Sequence, residues 1–305
     1  MSLPPRKRST KNAPRFRGQG QRMGDSSVGH AHKSFGARLD AAIRERGPLC
    51  VGIDPHTSLL AEWGLPASAA GVERFALTCV EAFAGEAAVL KPQSAFFEVF
   101  GSAGIAVLER TVRAARAAGA LVLLDVKRGD IGSTMTAYAR AYLDPSAPLA
   151  VDAITITPYL GVGSLLPAFD AVEQYGAGVF VVTLTSNPEG AQVQQARRPD
   201  GRTVAQAVVD EVAARNAGFA PLGAIGVVVG TTLSELPADL SKLNGPILAP
   251  GVGAQGGTPA DVRRLFGDAP GVLPSVSRDV LRAGPDITAL RDAARRYRDQ
   301  FAGRR

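Results

Sequence analysis

The chain has 305 residues, of which 46% are hydrophobic and 20% are charged, so it can bury a sizeable core. Its formal net charge is +6, but residues 1–22 contain seven Lys or Arg and no acid, which leaves −1 for the rest. This near-neutral body, without interleaved aromatic residues, excludes nucleic-acid binding by the folded part. No apolar run is long enough to span a bilayer, which excludes a membrane-spanning protein.

The first 32 residues form a segment of their own. They are basic and rich in Pro, Gly, Ser and Gln, and they contain no apolar stretch typical of a secretory signal. We therefore predict a disordered basic tail over residues 1–32 and a single domain over residues 33–305. Because Met23 follows the basic residues, the tail is either a misassigned start, a cloning remnant or a genuine basic arm.

The two cysteines indicate the cellular compartment. Cys50 lies in an apolar strand-like run and Cys79 in a helix-like one. Buried free thiols are typical of proteins in a reducing environment, so we expect a cytoplasmic protein. The three histidines show no metal-binding spacing.

Eight short runs rich in Val, Ile and Leu follow along the chain, and each ends in Gly, Pro or a polar residue. They cover residues 49–55, 88–93, 121–127, 153–159, 179–185, 225–231, 246–252 and 272–278. Nearly continuous apolar strands are typical of a parallel sheet that is buried on both faces.

Amphipathic helix patterns lie between most of these runs. Apolar residues at three- and four-residue spacing predict helices over 71–86, 103–119, 203–218 and 286–303. Gly119 and Gly218 stand where helix C-caps belong. The alternation predicts an α/β fold, a single-domain (β/α)₈ TIM barrel, with an open doubly wound sheet as the alternative.

Polar residues concentrate at one end of the predicted strands. In a barrel of this type the active site lies at the carboxyl ends of the strands. The strand starts are apolar or small, whereas the strand ends carry charged or polar residues or glycines. These are Asp54, Lys91 with Gln93, Asp125 with Lys127, Thr157, Ser186, Thr231, a glycine-rich turn, and Ser277 with Arg278.

The end of the third strand has the highest charge density. Asp125 and Lys127 are two residues apart, which in a regular strand places both side chains on one face, here the barrel interior. Gly129 allows a turn that returns Asp130 toward the same space, and Lys91 arrives on the neighbouring strand. Two cations alternating with two anions predict a charged catalytic site, with a structural ion-pair cluster at the barrel rim as the alternative.

A second element follows the seventh strand. The segment "PGVGAQGG" at residues 250–257 combines four glycines with Gln255. Glycines allow backbone N–H groups to converge on an anion, and the loops after strands seven and eight commonly bind phosphate in barrels. Arg278 could grip the same phosphate bidentately. We predict a phosphate site, with a flexible loop beside an exposed arginine as the alternative.

These residues together resemble a known family. "DVKRGDIGST" at 125–134, "PGVGAQGG", "GIDP" with Asp54, Lys91 and Arg278 are similar to orotidine 5′-monophosphate decarboxylases over residues 48–280. The length and the segments "TPYLG" and "TSNPEG" resemble the longer bacterial branch. The resemblance implies decarboxylation of orotidine 5′-monophosphate to uridine 5′-monophosphate, the last step of de novo pyrimidine synthesis, by a homodimer with shared active sites and no cofactor or metal.

The resemblance also implies a role for each site residue. Lys91, Asp125, Lys127 and Asp130 would form an alternating charged network, in which Lys127 donates the proton to C6. The substrate ligands would be Asp54 for a ribose hydroxyl, Ser186 for the pyrimidine edge, Gln255, Gly256 and Arg278 for the phosphate, and Ile131 and Thr134, which with Asp130 would enter the neighbouring subunit's site.

The chemistry agrees with this interpretation. Loss of CO₂ from C6 leaves a carbanion in the ring plane with no adjacent carbonyl to accept the electrons, so a fixed ammonium is the available stabiliser. Related barrels share Asp-x-Lys-x-x-Asp but hold an enediolate with a metal, so a metal-dependent sugar-phosphate decarboxylase or aldolase is the alternative function. Lys91 opposes it, because a metal would favour an oxygen donor there.

Overall fold

The computed structural model describes residues 33–302. By its contacts the chain divides into Met1–Ala31 and His32–Arg305. The predicted basic tail, residues 1–32, lies outside the described residues, and so do residues 303–305.

Eight parallel strands close into a barrel in the order of the sequence, and β1 pairs with β8. The strands are β1 Cys50–Ile53, β2 Val89–Pro92, β3 Leu121–Arg128, β4 Ala153–Ile156, β5 Gly178–Leu184, β6 Ile225–Val229, β7 Ile247–Pro250 and β8 Val272–Val276. Each predicted apolar run overlaps one of them, and β3 and β5 each extend one residue beyond their run. The predicted barrel is therefore confirmed, and the open-sheet alternative is wrong because the first and last strands are paired.

Helices lie between the strands. They are α1 Phe35–Arg46, α2 Thr57–Glu62, α3 Ala69–Phe83, α4 Ala95–Glu98, α5 Gly101–Ala117, α6 Gly132–Leu143, α7 Leu166–Tyr175, α8 Ala191–Gln194, α9 Val204–Asn216, α10 Pro259–Phe266, α11 Arg278–Leu281 and α12 Ile287–Ala302, with short 3₁₀ turns at Val162–Leu165 and Pro188–Gly190. The four predicted helices are confirmed. Gly119 and Gly218 follow α5 and α9 with φ of 79° and 83°, a conformation that favours glycine at a helix end.

The strands are buried on both faces, as a parallel barrel requires. Every residue of β1, β2, β4, β6 and β8 is buried. Cys50 and Cys79 are buried free thiols, as predicted. Within residues 33–302, no helix has the length and apolar character needed to cross a membrane.

Helix α1 covers the amino end of the barrel at β5. The Phe35 ring lies edge-on to Phe180 at a centroid distance of 6.0 Å. A side chain at Gly178 would begin 2.3 Å from the Phe35 ring, so only glycine fits at the start of β5. Because α1 packs at the amino end of β5, it does not occupy the carboxyl ends of the strands, where the candidate site lies.

Candidate active site

A cavity of about 530 Å³ opens at the carboxyl ends of the strands. Most of the predicted site residues line it, and they come from the ends of six strands: Asp54, Lys91, Asp125, Lys127, Ser186, Gln255 and Arg278. Loops as far apart in the chain as residues 54 and 278 thus share one space because parallel strands present all their carboxyl ends on one side.

The centre of the cavity is one carboxylate between two ammonium groups. Lys91 Nζ lies 3.2 Å from Asp125 Oδ2, and Lys127 Nζ lies 2.6 Å from Asp125 Oδ1. The side chains of Lys91 and Asp125 are each 8% exposed, whereas that of Lys127 is 50% exposed. The predicted contact among these three residues is present, and of the two lysines Lys127 is the one that a bound molecule can reach.

The electrostatics of the cluster keep the buried pair charged. Burial disfavours the Asp125 carboxylate, but the charges of Lys91 and Lys127, with hydrogen bonds from Lys127 and Thr155, outweigh burial and lower the pKa of Asp125 from 3.8 to about 2. Burial likewise opposes the Lys91 ammonium, but the charges of Asp125 and Asp54 outweigh it and raise the pKa of Lys91. The buried ion pair is therefore ionised at neutral pH.

Strand β3 is irregular where it enters the site. Leu124 pairs with Ile154 and Arg128 pairs with Ile156, so three residues of β3, 125–127, lie opposite the single residue Thr155. Lys127 has a φ of 44°, in the left-handed region. The prediction that a regular strand would present Asp125 and Lys127 on one face is thus wrong in its geometry. The side chains meet because a bulge re-aims Lys127, as bulges beside active sites commonly do.

Two oxygen atoms elsewhere in the cavity have no protein partner. Among the described residues, Asp54 Oδ1 and Ser277 Oγ are buried without a hydrogen bond. Both side chains border Gly52, where an added Cβ would lie 3.1 Å from Asp54 Oδ2 and 3.1 Å from Ser277 Oγ. Buried polar atoms normally have partners, so this pair is suited to a ligand's hydroxyl groups. Sequence reasoning noted Ser277 only as the neighbour of Arg278.

The loop after β7 has the backbone of an anion site. Gly251, Gly253 and Gly256 have φ of 107°, 77° and 93°, which residues with a side chain rarely adopt. Within the described residues, the backbone N–H groups of Ala254 and Gln255 donate to no protein acceptor. Free N–H groups in a glycine-rich turn attract anions.

Arg278 lies on the same rim of the cavity as this loop. Across residues 33–302, its guanidinium makes no ion pair or hydrogen bond, so it is available to a ligand. Gly256 belongs to the loop but does not line the cavity.

The remaining predicted residues point elsewhere. Asp130, Ile131 and Thr134 do not line the cavity of their own chain. Asp130 Oδ1 instead accepts a hydrogen bond from the Ile131 backbone N–H at 2.8 Å. The expectation that Asp130 turns back into the cavity of its own chain is wrong, because the chain after Gly129, which lies close to the Thr157 carbonyl, leaves Asp130 outside the cavity lining.

The end of β4 was assigned to the wrong threonine by sequence reasoning. Thr155 lines the cavity, whereas Thr157 does not. In the sequence Thr155 looks like an ordinary residue of a buried strand. The signal that could have marked it as a cavity residue is its position as a polar residue between Ile154 and Ile156. His56 was also overlooked, although it lines the cavity and lies 4.1 Å from the Phe96 ring, between centroids.

The fold and the cavity together define a class, that of (β/α)₈ barrels with a buried charged cluster and a glycine-rich loop at the carboxyl ends of the strands. Residues 47–293 match the family model described as Orotidine 5'-phosphate decarboxylase / HUMPS family. The chain belongs to this family.

Known relatives agree with that assignment. The chain is 64% identical to orotidine 5'-phosphate decarboxylase of Salinispora arenicola over 87% of this chain and 95% of the relative. It is 63% identical to the Streptomyces coelicolor enzyme of the same name, over 86% and 95% respectively.

Solved structures are also similar. A Streptomyces avermitilis protein assigned as orotidine 5'-phosphate decarboxylase is 58% identical, with a TM-score of 0.88 over 92% of this chain and 99% of that one. The OMP decarboxylase of Leishmania donovani is 32% identical, with a TM-score of 0.70 over 88% and 98%.

Proposed function

We propose that this protein converts orotidine 5′-monophosphate to uridine 5′-monophosphate and CO₂ without a cofactor, as the last step of de novo pyrimidine synthesis in the cytoplasm. The observation that carries the proposal is the Lys91–Asp125–Lys127 cluster, with contacts of 3.2 and 2.6 Å, in the cavity of a barrel of this family.

The reaction needs a cation next to C6 of the pyrimidine. The bond between C6 and the carboxylate breaks, and its electron pair stays on C6 while CO₂ leaves. The accessible Lys127 ammonium stabilises this developing charge and then donates a proton to C6, which yields the product. Asp125 holds Lys127 in place, and the buried Lys91 keeps Asp125 ionised.

The rest of the cavity binds the remote parts of the substrate. Asp54, together with Ser277, takes the ribose hydroxyls, since both present unpartnered buried oxygens. Ser186 contacts the pyrimidine edge. Gln255, the backbone near Gly256 and Arg278 hold the phosphate. Binding energy from the phosphate, which does not react, can organise the charged cluster around the reacting bond.

A second copy of the chain completes each site. Asp130, Ile131 and Thr134 lie outside their own cavity, and Ile131 is 62% exposed. In the neighbouring loop after β4, Tyr159 is 78% exposed and Leu160 is 54% exposed. Thr157 N donates to Arg128 O at 2.8 Å, which places the two loops side by side. Such an apolar surface suits a two-fold dimer, which would bring Asp130 to the partner's Lys127.

The test is a spectroscopic assay for loss of orotidylate absorbance, with stoichiometric CO₂ release, run with and without a chelator. We expect equal rates in both conditions. Inactivation by the chelator, with recovery on adding a divalent cation, would refute the cofactor-free mechanism. Complete lack of turnover by the folded wild-type protein would refute the proposal.

A further inference from the structure

The hydroxyl group of Thr155 is bonded entirely to the irregular end of β3. Thr155 Oγ1 accepts hydrogen bonds from the backbone N–H groups of Val126 at 3.1 Å and Lys127 at 2.9 Å. It donates one hydrogen bond to Asp125 Oδ1 at 2.8 Å. A hydroxyl has one donor and two acceptor positions, so this group is fully used, and Thr155 is only 1% exposed.

These contacts explain how β3 can leave regular strand geometry. Successive N–H groups of a regular strand point in opposite directions, toward its two neighbours. Here the N–H groups of Val126 and Lys127 point at the same atom, and Lys127 has a φ of 44°. A left-handed residue with a side chain persists only where its surroundings enforce it. The Thr155 oxygen supplies that enforcement, because it is the shared acceptor of both groups.

The same hydroxyl orients the carboxylate. Asp125 Oδ1 accepts from Thr155 Oγ1 at 2.8 Å and from Lys127 Nζ at 2.6 Å. One side chain of β4 therefore holds both the backbone and the anionic partner of the reactive ammonium.

We propose that Thr155 is a positioning residue, whose hydroxyl sets the direction of the Lys127 ammonium through the backbone of Lys127 and the carboxylate of Asp125. This inference rests on the proposed function, because it concerns the orientation of Lys127 toward C6. Thr155 acts on the rate of the chemical step and not on the phosphate grip, which involves β7 and β8.

The test compares Thr155→Val, which removes the hydroxyl at nearly constant shape, with Thr155→Ser, which retains it. Misplacement of a reacting group by about 1 Å costs about a hundredfold in rate, so we expect Thr155→Val to lower kcat by about that factor with KM little changed. Thr155→Ser should retain most of the wild-type kcat. Affinity for the product uridine 5′-monophosphate, measured by calorimetry, should be similar in all three proteins.

Thr183→Val is the matched control. Thr183 is a buried threonine of β5, 2% exposed, whose hydroxyl donates only to the Val181 carbonyl oxygen at 2.9 Å. Its valine variant should lose a comparable buried hydrogen bond and keep the wild-type kcat. If Thr155→Val does not fold, Thr155→Ala against Thr155→Ser makes the same comparison, since these differ by the hydroxyl alone.

The outcomes separate the inference from the proposed function. Wild-type kcat in Thr155→Val, or equal losses in the serine and the hydroxyl-free variants, would overturn the inference while leaving the decarboxylase assignment intact. A wild-type protein that does not decarboxylate orotidylate would refute the proposed function and the inference with it.

Discussion

Lys127 combines a half-exposed ammonium with a backbone conformation that is unusual for a residue with a side chain. Lys91, which contacts the other oxygen of the same carboxylate, is buried. The two lysines therefore differ in role. Lys127 can face a substrate, whereas the buried Lys91 keeps Asp125 ionised.

Replacing Lys127 by alanine tests the first of these roles. We expect kcat to fall by about a thousandfold or more, because the ammonium acts on charge that develops only in the transition state. The fold should persist, since the lost group is half exposed. Steady-state kinetics and thermal unfolding measure both effects, with the exposed Lys242→Ala as control. An active Lys127→Ala enzyme would contradict its assignment as the proton donor.

Arg278→Ala should weaken the phosphate grip and leave the charged cluster unchanged. We expect kcat/KM for orotidylate to fall, mainly through a higher KM. The loss of a charge-assisted pair corresponds to about 2–4 kcal/mol of transition-state stabilisation. Arg282→Ala, which removes an arginine paired with Asp279 at 3.2 Å one turn later, is the control. The nucleoside orotidine, which has no phosphate, should react equally slowly with wild type and Arg278→Ala. Unchanged orotidylate kinetics would place the phosphate elsewhere.

The lowered pKa of Asp125 predicts a contribution to acid stability. Because the pKa falls from 3.8 to about 2 on folding, the contribution is fully present above pH 4 and is lost as the pH falls toward 2. Its size is about 2 kcal/mol. Urea unfolding between pH 5 and pH 2 should show a shallower loss of stability in Asp125→Asn than in wild type. Parallel pH profiles would contradict this prediction.

At the scale of elements, the glycine loop after β7 is held at its far end by the start of α10. Thr258 forms a capping box with Asp261: Thr258 Oγ1 accepts from the Asp261 N–H at 3.1 Å, and Asp261 Oδ2 accepts from the Thr258 N–H at 3.0 Å. The cap thus stabilises α10 and also fixes the end of the glycine loop, which forms the proposed phosphate site.

Thr258→Ala should therefore have two effects. Loss of the cap should reduce the free energy of unfolding by about 1 kcal/mol, and the loosened loop should raise KM for orotidylate. Thr203 caps α9 with its hydroxyl, which accepts from the Gln206 N–H at 3.0 Å, and it does not line the cavity. Thr203→Ala should show the same loss of stability with unchanged KM. Equal KM values in the two variants would show that the cap of α10 does not affect substrate binding.

At the scale of the whole molecule, the proposed dimer follows from the direction of the loop after β3. This loop leaves Asp130 and Ile131 outside the cavity that contains Asp125 and Lys127. If Asp130 serves the partner's site, one interface builds two equivalent sites and a separated monomer is inactive even when folded.

Mixing two inactive variants, Lys127→Ala and Asp130→Ala, tests this arrangement. In a heterodimer one site collects both substitutions and the other collects neither. Random exchange makes half the dimers mixed, so about a quarter of all sites should recover activity. Confirmed subunit exchange without recovered activity would assign Asp130 to its own chain's site. Mixing Lys127→Ala with Asp125→Ala is the control and should recover nothing, because both residues line the same cavity.

The sequence by itself determined the barrel and the end of it that carries the site. Continuous apolar runs and amphipathic helices are local patterns, and the parallel arrangement they require places Asp54, Lys91 and Asp125 at one end without further information. The glycine loop was also readable, because a run of glycines marks backbone conformations that other residues avoid.

Only the tertiary structure decided the bulge in β3, the contacts of Thr155, the proximity of Asp54 and Ser277 around Gly52, and the position of Asp130 outside its own cavity. Each depends on register or contact between segments far apart in the chain: Thr155 reaches Asp125 across 30 residues, and no periodicity records which residue of β4 stands opposite which residue of β3. A prediction from strand spacing assumes regular geometry, and the bulge in β3 departs from that geometry.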